Sequence, residues 1–460
     1  MNDAEIDAFR APGRRYAGPD TAAGRRAPLA TALARQGRMT PGQTAGRFYA
    51  VACVALEVTQ RCNLDCTLCY LSPAAEAAHD VPMTVLFARL RSIRDHFGPG
   101  TAVQISGGDP TLRRVEDLEA LCREIRRLGL WPCLMTNGIR ATRPMLARLA
   151  GAGLVDVAFH VDTTQERQGG ETEIALNGVR REYLARARGL GLRVFFNTTV
   201  HAGNMAELPA LARFFRTHAH EITMTSFQLQ ADTGRGVMGA RTGAVTQAGV
   251  EAALAEGFAT ALDFGVAGVG HEACNRYASV LVAGDRATAA LGDRALFHRI
   301  VAAFEAAARG ERATVAFAPL LRRAVLAAPL TALRAALHVA GRVLRLGPGL
   351  VASRGRVARL ALFVHNFMDA EALERDRCEA CVFRVATEDG PLSMCVHNAR
   401  RDRHLFRPAR VETADGQRWW SAATGRLTRH PETASPGVVP PKRRKGRDAI
   451  ARRPQGSGWA

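Results

Sequence analysis

Short apolar segments rich in β-branched residues alternate with amphipathic segments through the first half of the chain. The intervening stretches carry apolar residues three and four positions apart, the spacing of a helix that buries one face. Six β–α units in series predict an α/β fold, in which a parallel sheet with right-handed crossovers curls into a partial (β/α)6 TIM-like barrel. The predicted strands are VALEVTQ (54–60), AVQIS (102–106), PCLMT (132–136), LVDVAFHV (154–161), RVFFNTTV (193–200) and EITMTSFQL (221–229).

Reactive or polar residues follow several of these strands. In such barrels the chemistry lies at the mouth formed by the carboxyl ends of the strands. We therefore expect the functional site where four segments meet: RCNLDCTLCYL (61–71), SGGDPTL (106–112), TNG (136–138) and NTTV (197–200).

Three cysteines, Cys62, Cys66 and Cys69, lie within eight residues of one another. Zinc sites usually close with four protein ligands, and a disulfide framework needs an even number of cysteines in a secreted chain. Three thiolates on a short loop suit a 4Fe-4S cluster in which one iron is left open to another ligand.

The CxxxCxxC spacing, the aromatic Tyr70 after it and the GGDP turn after the next strand resemble the radical S-adenosylmethionine (SAM) superfamily. The resemblance covers roughly residues 50–235. It implies an enzyme in which Cys62, Cys66 and Cys69 hold a catalytic 4Fe-4S cluster and SAM chelates the open iron. One electron, from a donor such as flavodoxin or ferredoxin, would then split SAM to a 5′-deoxyadenosyl radical.

The resemblance also implies which residues contact SAM. Gly107 and Gly108 would let the backbone approach the methionine end closely, and Asp109 or a neighbouring backbone carbonyl would hold the ammonium group. For the polar residues further along the chain a purely structural role stays open, as turn residues that cap the next helix or as a packed histidine. The cofactor-binding candidates are Tyr70, Gly107, Gly108, Asp109, Asn137, His160, Asn197 and Thr198.

A second cysteine motif, Cys378, Cys381 and Cys395, combines a CxxC with a third cysteine 14 residues later. A CxxC can be a redox pair or half of a zinc site. Because the chain already resembles an iron–sulfur enzyme, we favour an auxiliary cluster, with Cys274 as the fourth ligand and His271 as the alternative.

The segment HNFMDAEALERDRCEACVFRVATEDGPLSMCVHN (365–398) resembles the C-terminal module of the archaeal tetraether-lipid-synthase group. Members of that group join lipid tails through C–C bonds. The resemblance implies hydrogen abstraction from an aliphatic, lipid-like substrate, with C–C bond formation as a further step. The rubredoxin-like metal site of that group has no counterpart in this sequence.

From Arg312 to Met368 the chain has nine arginines and no acidic residue, interleaved with apolar runs that Pro329 and Pro348 divide into short helices. One interpretation is an ordinary helical insert with a solvated basic face. The other is an interfacial amphipathic surface, with an apolar face in the acyl layer and arginines on anionic headgroups.

These features predict four regions. No run of 18 apolar residues and no apolar leader is present, so we expect a cytoplasmic protein, with peripheral membrane contact as an option. The regions are a poorly ordered N-terminal arm (1–48), a radical SAM barrel (49–240), an extension with the arginine-rich insert and the auxiliary cysteine loop (241–408), and a basic, disordered tail (409–460).

Two alternative functions stay open at this point. The first is a radical SAM enzyme that modifies a peptide or a small metabolite, because C-terminal auxiliary clusters are also frequent there. The second is a non-catalytic iron–sulfur protein whose basic tail binds nucleic acid. The SGGDPTL turn argues against the second, since a structural cluster needs no SAM-binding turn, and we expect no specific nucleic-acid partner.

Overall fold

The computed structural model describes residues 1, 5–6, 21–72, 74–234, 243–308, 317–413 and 415–432. Within these ranges eleven strands form one sheet and three strands form a second, small sheet. The large sheet contains β1 (Cys53–Thr59), β2 (Ala102–Gly107), β3 (Trp131–Thr136), β4 (Asp156–His160), β5 (Arg193–Val200), β6 (Met224–Leu229), β7 (Asn275–Ala283), β8 (Arg286–Ala289), β9 (Ala358–Asn366), β10 (Phe383–Thr387) and β11 (Gly390–Ser393). The small sheet contains β12 (Ala409–Thr413), β13 (Gly416–Trp420) and β14 (Leu427–Thr428).

The described helices follow the predicted amphipathic segments in the first half of the chain. In the helix that connects β2 and β3, Glu116 and Asp117 lie in the first turn and Arg126 and Arg127 in the last, an arrangement that the helix dipole favours. The helices are α1 (Ala22–Arg35), α2 (Met83–Phe97), α3 (Val115–Arg127), α4 (Arg143–Gly151), α5 (Asn177–Ala187), α6 (Leu208–Thr217), α7 (Gln247–Phe258), α8 (Arg294–Ala308), α9 (Phe317–Ala327), α10 (Pro329–Leu344), α11 (Pro348–Ala352), α12 (Arg375–Glu379), α13 (Met394–Ala399) and α14 (Arg401–Leu405).

Strands β1 to β6 pair in chain order, each parallel to the next. One α-helix, α2 to α6, lies between each consecutive pair of these strands. The apolar side chains on one face of the strands, such as Leu56, Ile105 and Phe196, are fully buried in one core with the apolar faces of the helices. The predicted α/β fold with a parallel sheet is confirmed.

Residues of the predicted extension complete the same sheet at both edges. Strand β9 pairs parallel to β6, and β10 pairs parallel to β1. Strands β7 and β8 continue antiparallel beyond β9, and β11 continues antiparallel beyond β10. The predicted boundary at residue 240 thus lies within the chain segments of one continuous sheet, because residues of the extension supply the hydrogen-bonded neighbours of β1 and β6.

The row of parallel strands curves until its two ends approach each other. Phe363 of β9 and Phe383 of β10 have ring centroids 6.3 Å apart, and His365 of β9 lies 4.6 Å from the same Phe383 ring. Since β9 and β10 lie at opposite ends of that row, the sheet encloses an interior lined by its own side chains.

The two predicted disordered ends contain ordered structure. Helix α1 buries Leu29 and Leu33 against Ala380 and Val382, so the N-terminal arm is not uniformly disordered. Residues 409–428 form the small sheet, which buries Trp420 in the main core. The sequence prediction missed both elements because their apolar residues are interspersed in Ala- and Arg-rich segments. The basic run from Lys442 to Arg453 lies outside the described residues.

Candidate functional site

The three-cysteine loop follows β1 and is held to two neighbouring strand ends. The Thr67 amide donates to Thr164 O at 2.9 Å, in the turn after β4. Asn137 Nδ2, after β3, donates to Asn63 Oδ1 at 2.7 Å and lies 3.9 Å from Cys62 Sγ. The loop therefore stands where the prediction placed it, at the carboxyl edge of the sheet.

The three thiols interact electrostatically. Burial raises the pKa of the Cys66 thiol well above its usual value, and the neighbouring Cys69 and Cys62 raise it further. Arg167 lowers this pKa, and bound iron would add positive charge that favours the thiolate. The donor chemistry thus fits an iron–sulfur cluster on Cys62, Cys66 and Cys69.

The glycines of the SGGDP turn hold the cysteine loop. Gly107 has φ of +130°, and a Cβ there would lie 1.9 Å from Thr59 O; a Cβ on Gly108 would lie 2.2 Å from Arg61 O. The Gly108 and Asp109 amides donate to these same two oxygens, each at 2.8 Å. The close approach that requires glycine is thus between this turn and the start of the cysteine loop, an explanation that the sequence prediction did not consider.

Asp109 is fully buried, and its carboxylate is occupied by the protein. It accepts hydrogen bonds from the Thr111 amide at 2.9 Å, the Asn137 amide at 2.8 Å and Thr136 Oγ1 at 2.8 Å. Burial raises the pKa of Asp109, although these hydrogen bonds oppose the rise. Both carboxylate oxygens therefore connect β2 to β3, and a contact of Asp109 or of a neighbouring backbone carbonyl with the SAM ammonium stays a prediction.

His160 lies at the end of β4 and faces the interior. Its Nε2 is 2.7 Å from Asp162 Oδ2 and 3.1 Å from Thr199 Oγ1. Burial raises the pKa of Asp162. The charge of His160 and hydrogen bonds from His160, Thr164 and the Thr199 amide outweigh this effect and lower the pKa well below its usual range. His160 is thus positioned by a buried carboxylate.

Asn197 and Thr198 are both buried in β5 but differ in orientation. Asn197 Nδ2 donates to Met135 Sδ at 3.0 Å on the inner side of the sheet. Thr198 belongs to the opposite face, since side chains alternate along a strand, and its hydroxyl has no hydrogen-bond partner among the described residues. The contact of Thr198 with the cofactor stays a prediction, and the neighbouring residue that faces the interior is Thr199.

A buried ion pair that the sequence analysis missed adjoins the cysteine loop. Arg401 donates to both Glu57 carboxylate oxygens at 2.8 Å, and its guanidinium carbon lies 4.7 Å from the centre of the Tyr70 ring. Burial raises the pKa of Glu57, but Arg401 and His397 lower it to about 2. The sequence signal was a single carboxylate within the apolar strand VALEVTQ.

Tyr70 is fixed from both sides. Its hydroxyl donates to Gly107 O at 2.6 Å, and the Arg401 guanidinium covers its ring. Tyr70 therefore connects the cysteine loop, the SGGDP turn and the C-terminal helix α14 in one contact network.

The four cysteines of the predicted auxiliary site are brought together. Burial raises the pKa of Cys378 to about 12, with further contributions from Cys381 and Cys274, and raises that of Cys274 to about 11, with a contribution from Cys381. Burial raises the pKa of Cys395, and Cys381, Cys274 and Cys378 raise it further. The structure thus places Cys274 beside the motif, as predicted, although it is about 100 residues away in sequence.

Two described N-terminal residues lie near this second cysteine group. The Met1 ammonium donates to Leu373 O at 2.7 Å, and Ile6 packs in one apolar cluster with Cys378 and Cys395. Arg377 Nε lies 3.2 Å from Cys274 Sγ, so a cation is available to a thiolate at that position. Two residues of the arm that was predicted to be poorly ordered, Met1 and Ile6, therefore lie near the auxiliary group.

Within the described ranges, no three His, Cys, Asp or Glu side chains converge tightly enough to hold a single metal ion. A 4Fe-4S cluster is larger and is held by separate thiolates. Both cysteine sets therefore fit an iron–sulfur cluster by donor chemistry and burial, with Cys62, Cys66 and Cys69 as one set and Cys274, Cys378, Cys381 and Cys395 as the other.

Both cysteine sets reach one cavity. It has a volume of about 160 Å³ and lies inside the curved sheet. Strands β1 to β6 and the C-terminal helices all contribute to its wall. Its lining includes Glu57, Cys69, Tyr70, His160, Thr199, Gln228, Gln230, Met368, Cys395 and Arg401.

Comparison with known families identifies the domain around this cavity. Residues 56–215 match the family model described as Radical SAM superfamily. This segment is a radical SAM domain. The radical SAM family binds a 4Fe-4S cluster and SAM.

Relatives of the radical SAM domain include peptide cyclases. The PqqA peptide cyclase of Xanthomonas euvesicatoria pv. vesicatoria (strain 85-10) is 33% identical over 181 residues, which cover 38% of this chain and 47% of that protein. The PqqA peptide cyclase of Rhodopseudomonas palustris (strain ATCC BAA-98 / CGA009) is 34% identical over 181 residues, covering 36% and 44%. The chain spans about half the length of the curated relatives it matches.

Among solved structures, Streptococcus suis SuiB bound to precursor peptide SuiA aligns with a TM-score of 0.33 at 16% identity. The alignment covers 40% of each chain.

Proposed function

We propose that the chain is a radical SAM enzyme that modifies a peptide. The observation that carries this proposal is the shared cavity, in which Cys69 of the radical SAM domain and Cys395 of the second cysteine group line the same wall. An auxiliary cluster is typical of peptide-modifying members of the family. The similarity of the domain to PqqA peptide cyclases supports the same substrate class.

Some residues of the cavity position the cysteine loop and its neighbours, and others form a surface for the substrate. When bound at Cys62, Cys66 and Cys69, the cluster and SAM supply a 5′-deoxyadenosyl radical that abstracts hydrogen. Tyr70 keeps the cysteine loop against the SGGDP turn, and His160, oriented by Asp162, presents a ring nitrogen to the interior. The electron donor we propose is a flavodoxin or a ferredoxin.

Two glutamines line the part of the cavity wall at the end of β6. Gln228 lies in β6 and Gln230 directly follows it, and both carry amide groups suited to a peptide backbone, which both donates and accepts hydrogen bonds. Met368 adds an apolar contact next to them. The wall therefore combines amide and apolar surface, as a peptide side chain and its backbone require.

The test uses anaerobically reconstituted full-length protein with SAM, a chemical reductant and synthetic peptides encoded by short reading frames that flank the gene. We expect 5′-deoxyadenosine to form together with a mass change in one peptide, measured by mass spectrometry. Cys66→Ala removes one of three cluster ligands and should abolish both products, whereas Cys122→Ala, in the helical core, should retain both.

A second candidate is an aliphatic, lipid-like substrate, which the HNFMDA resemblance favours. One structural observation supports it: Phe367 and Met368 of that segment line the cavity. The same incubation with lipid extract in place of peptide distinguishes the two. If 5′-deoxyadenosine forms only with lipid, an acyl chain is altered and no peptide changes, the lipid proposal replaces the peptide proposal.

A further inference from the structure

Three helices, α9, α10 and α11, form an insert between β8 and β9 that is attached to the sheet at a few points. Leu320 and Ala324 of α9 pack against Ala307 and Ala308 of α8. Gly349 of α11 sits so close to the β7–β8 turn that a Cβ would lie 2.2 Å from Ala283 O. The insert is thus anchored along one side only.

The opposite side of this insert is apolar and exposed. Helix α10 has no buried residue along its entire length. Leu330, Leu333, Leu337 and Leu344 follow helical spacing on it and expose 56 to 75% of their surfaces. This is the pattern of a core-facing helix, but the face is turned to solvent. A surface of this kind indicates that something apolar covers it.

The charge of the insert restricts what that cover is. Arg322, Arg323 and Arg334 are exposed, and within the described part of the chain no carboxylate pairs with any of them. No acidic residue occurs between Glu311 and Asp369 in the sequence. The partner must therefore be apolar in one layer and anionic in the adjacent one.

A second copy of the chain or its own basic tail does not meet this requirement. A second copy would bring a second set of arginines near the first, and the run from Lys442 to Arg453 is itself strongly basic. Like charges at short distance repel, and low salt strengthens the repulsion.

The geometry also distinguishes lying on a membrane from crossing it. Among the described residues no single helix is long and apolar enough to span a bilayer. Helices α9 and α10 meet that criterion only as a pair, and they bend by 113° where they meet at Pro329. A bent amphipathic pair with arginines beside its apolar face suits the headgroup boundary.

We propose that helices α9 to α11 dock the protein onto an anionic lipid surface. The leucines of α10 enter the acyl boundary, and Arg322, Arg323 and Arg334 contact the headgroup phosphates. This inference is independent of the substrate, since no residue of these helices lines the cavity.

The test is co-sedimentation of the full-length protein with phosphatidylcholine vesicles, with and without phosphatidylglycerol. We expect binding only to the anionic vesicles and weaker binding as salt increases. Combined Arg322→Glu, Arg323→Glu and Arg334→Glu should lower the partition coefficient by about 100-fold or more. Combined Leu330→Ser, Leu333→Ser and Leu337→Ser should lower it on the order of 100-fold, because the acyl contacts are lost.

A matched control reverses three exposed arginines on other helices, Arg126→Glu, Arg181→Glu and Arg213→Glu, with the same change in net charge. It should bind nearly as wild type. Equal loss in this control, equal binding to neutral vesicles, or complete loss on deletion of residues 433–460 alone would overturn the proposal. So would a dimer, detected without vesicles, that the serine variant converts to monomer.

Measurements of circular dichroism and iron content distinguish a folding defect from a docking defect in these variants. SAM cleavage without substrate should stay unchanged in all of them, because none of the altered residues lines the cavity. A variant that no longer binds vesicles but still modifies the peptide separates this proposal from the proposed function. If one of the two proposals fails, the other is unaffected.

Discussion

At the scale of single residues, the contact between Glu57 and Arg401 is the clearest case of a long-range interaction that supports the site. The two residues are 344 positions apart and form a buried bidentate pair beside Tyr70. Removing one partner of such a pair leaves the other charge buried without compensation. The pair therefore secures the C-terminal helix α14 to β1 and to the cysteine loop.

Arg401→Met should destabilise the protein by about 3–5 kcal/mol, because the Glu57 carboxylate is left buried and unpaired. The combined Glu57→Gln and Arg401→Met variant should regain part of that loss. Denaturant unfolding of the metal-free protein measures both. Arg148→Met removes an exposed arginine with two carboxylate partners and should have little effect. Equal destabilisation by Arg401→Met and Arg148→Met would contradict the expected role of burial.

The same pair predicts a pH dependence. The pKa of Glu57 is lowered from 4.5 to about 2 in the folded protein, so its contribution is fully present above about pH 4.5 and is lost as the pH falls towards 2. The difference corresponds to about 3 kcal/mol at neutral pH. Glu57→Gln should therefore show a shallower loss of unfolding free energy between pH 4.5 and 2 than the wild type, by thermal or denaturant melts.

At the scale of elements, the turn between β2 and α3 decides where the cysteine loop lies. Its two glycines contact the backbone at the end of β1 so closely that any side chain would collide with it. The GGDP motif thus has a structural reason that does not depend on any bound molecule.

Gly107→Ala should destabilise the protein by about 3 kcal/mol or more and lower the iron content, since the new Cβ collides with Thr59 O. Gly191→Ala is the matched control, because Gly191 also has positive φ, +72°, but has open space around it. That control should cost only about 1–2 kcal/mol, from backbone strain alone. Equal effects of the two substitutions on iron content would show that the turn does not position the cysteine loop.

The second cysteine group gives a prediction at the same scale. A combined Cys62→Ala, Cys66→Ala and Cys69→Ala variant should still bind iron, through the four cysteines that the fold brings together. Iron and zinc analysis with absorption spectroscopy after anaerobic reconstitution tests this. Zinc in place of iron would make the group a structural zinc site, and the absence of both metals would refute the auxiliary cluster.

At the scale of the whole molecule, the radical SAM domain is not a self-contained unit. Strand β1 needs β10 as its neighbour and β6 needs β9, and both are supplied from beyond residue 350. A fragment of residues 49–240 would expose both sheet edges and leave Glu57 without Arg401.

We therefore expect the fragment 49–240 to be poorly folded, with reduced near-ultraviolet circular dichroism and binding of a hydrophobic dye, while the fragment 21–432 should unfold cooperatively. The longer fragment is the control, since it contains every described strand and helix. A cooperative unfolding transition of the fragment 49–240 would show that the flanking strands are dispensable for folding.

The sequence by itself determined the features that depend on near neighbours. The order of strands β1 to β6, the helices between them and the three-cysteine loop after β1 all follow from patterns a few residues long, in which each strand or helix reflects its own apolar spacing. The pairing of Cys274 with the C-terminal cysteines was also predicted, from the chemistry of cluster ligands.

Only the tertiary structure decided the contacts between distant segments. It placed β10 beside β1 and β9 beside β6, surrounded the Asp109 carboxylate with neighbouring hydrogen-bond donors and turned Thr199, not Thr198, to the interior. It also ordered residues 409–428 by burying Trp420 in the main core. These outcomes depend on which partner satisfies a buried polar group or covers an apolar face. That partner can lie hundreds of residues away, 344 in the case of Glu57 and Arg401, beyond any local pattern.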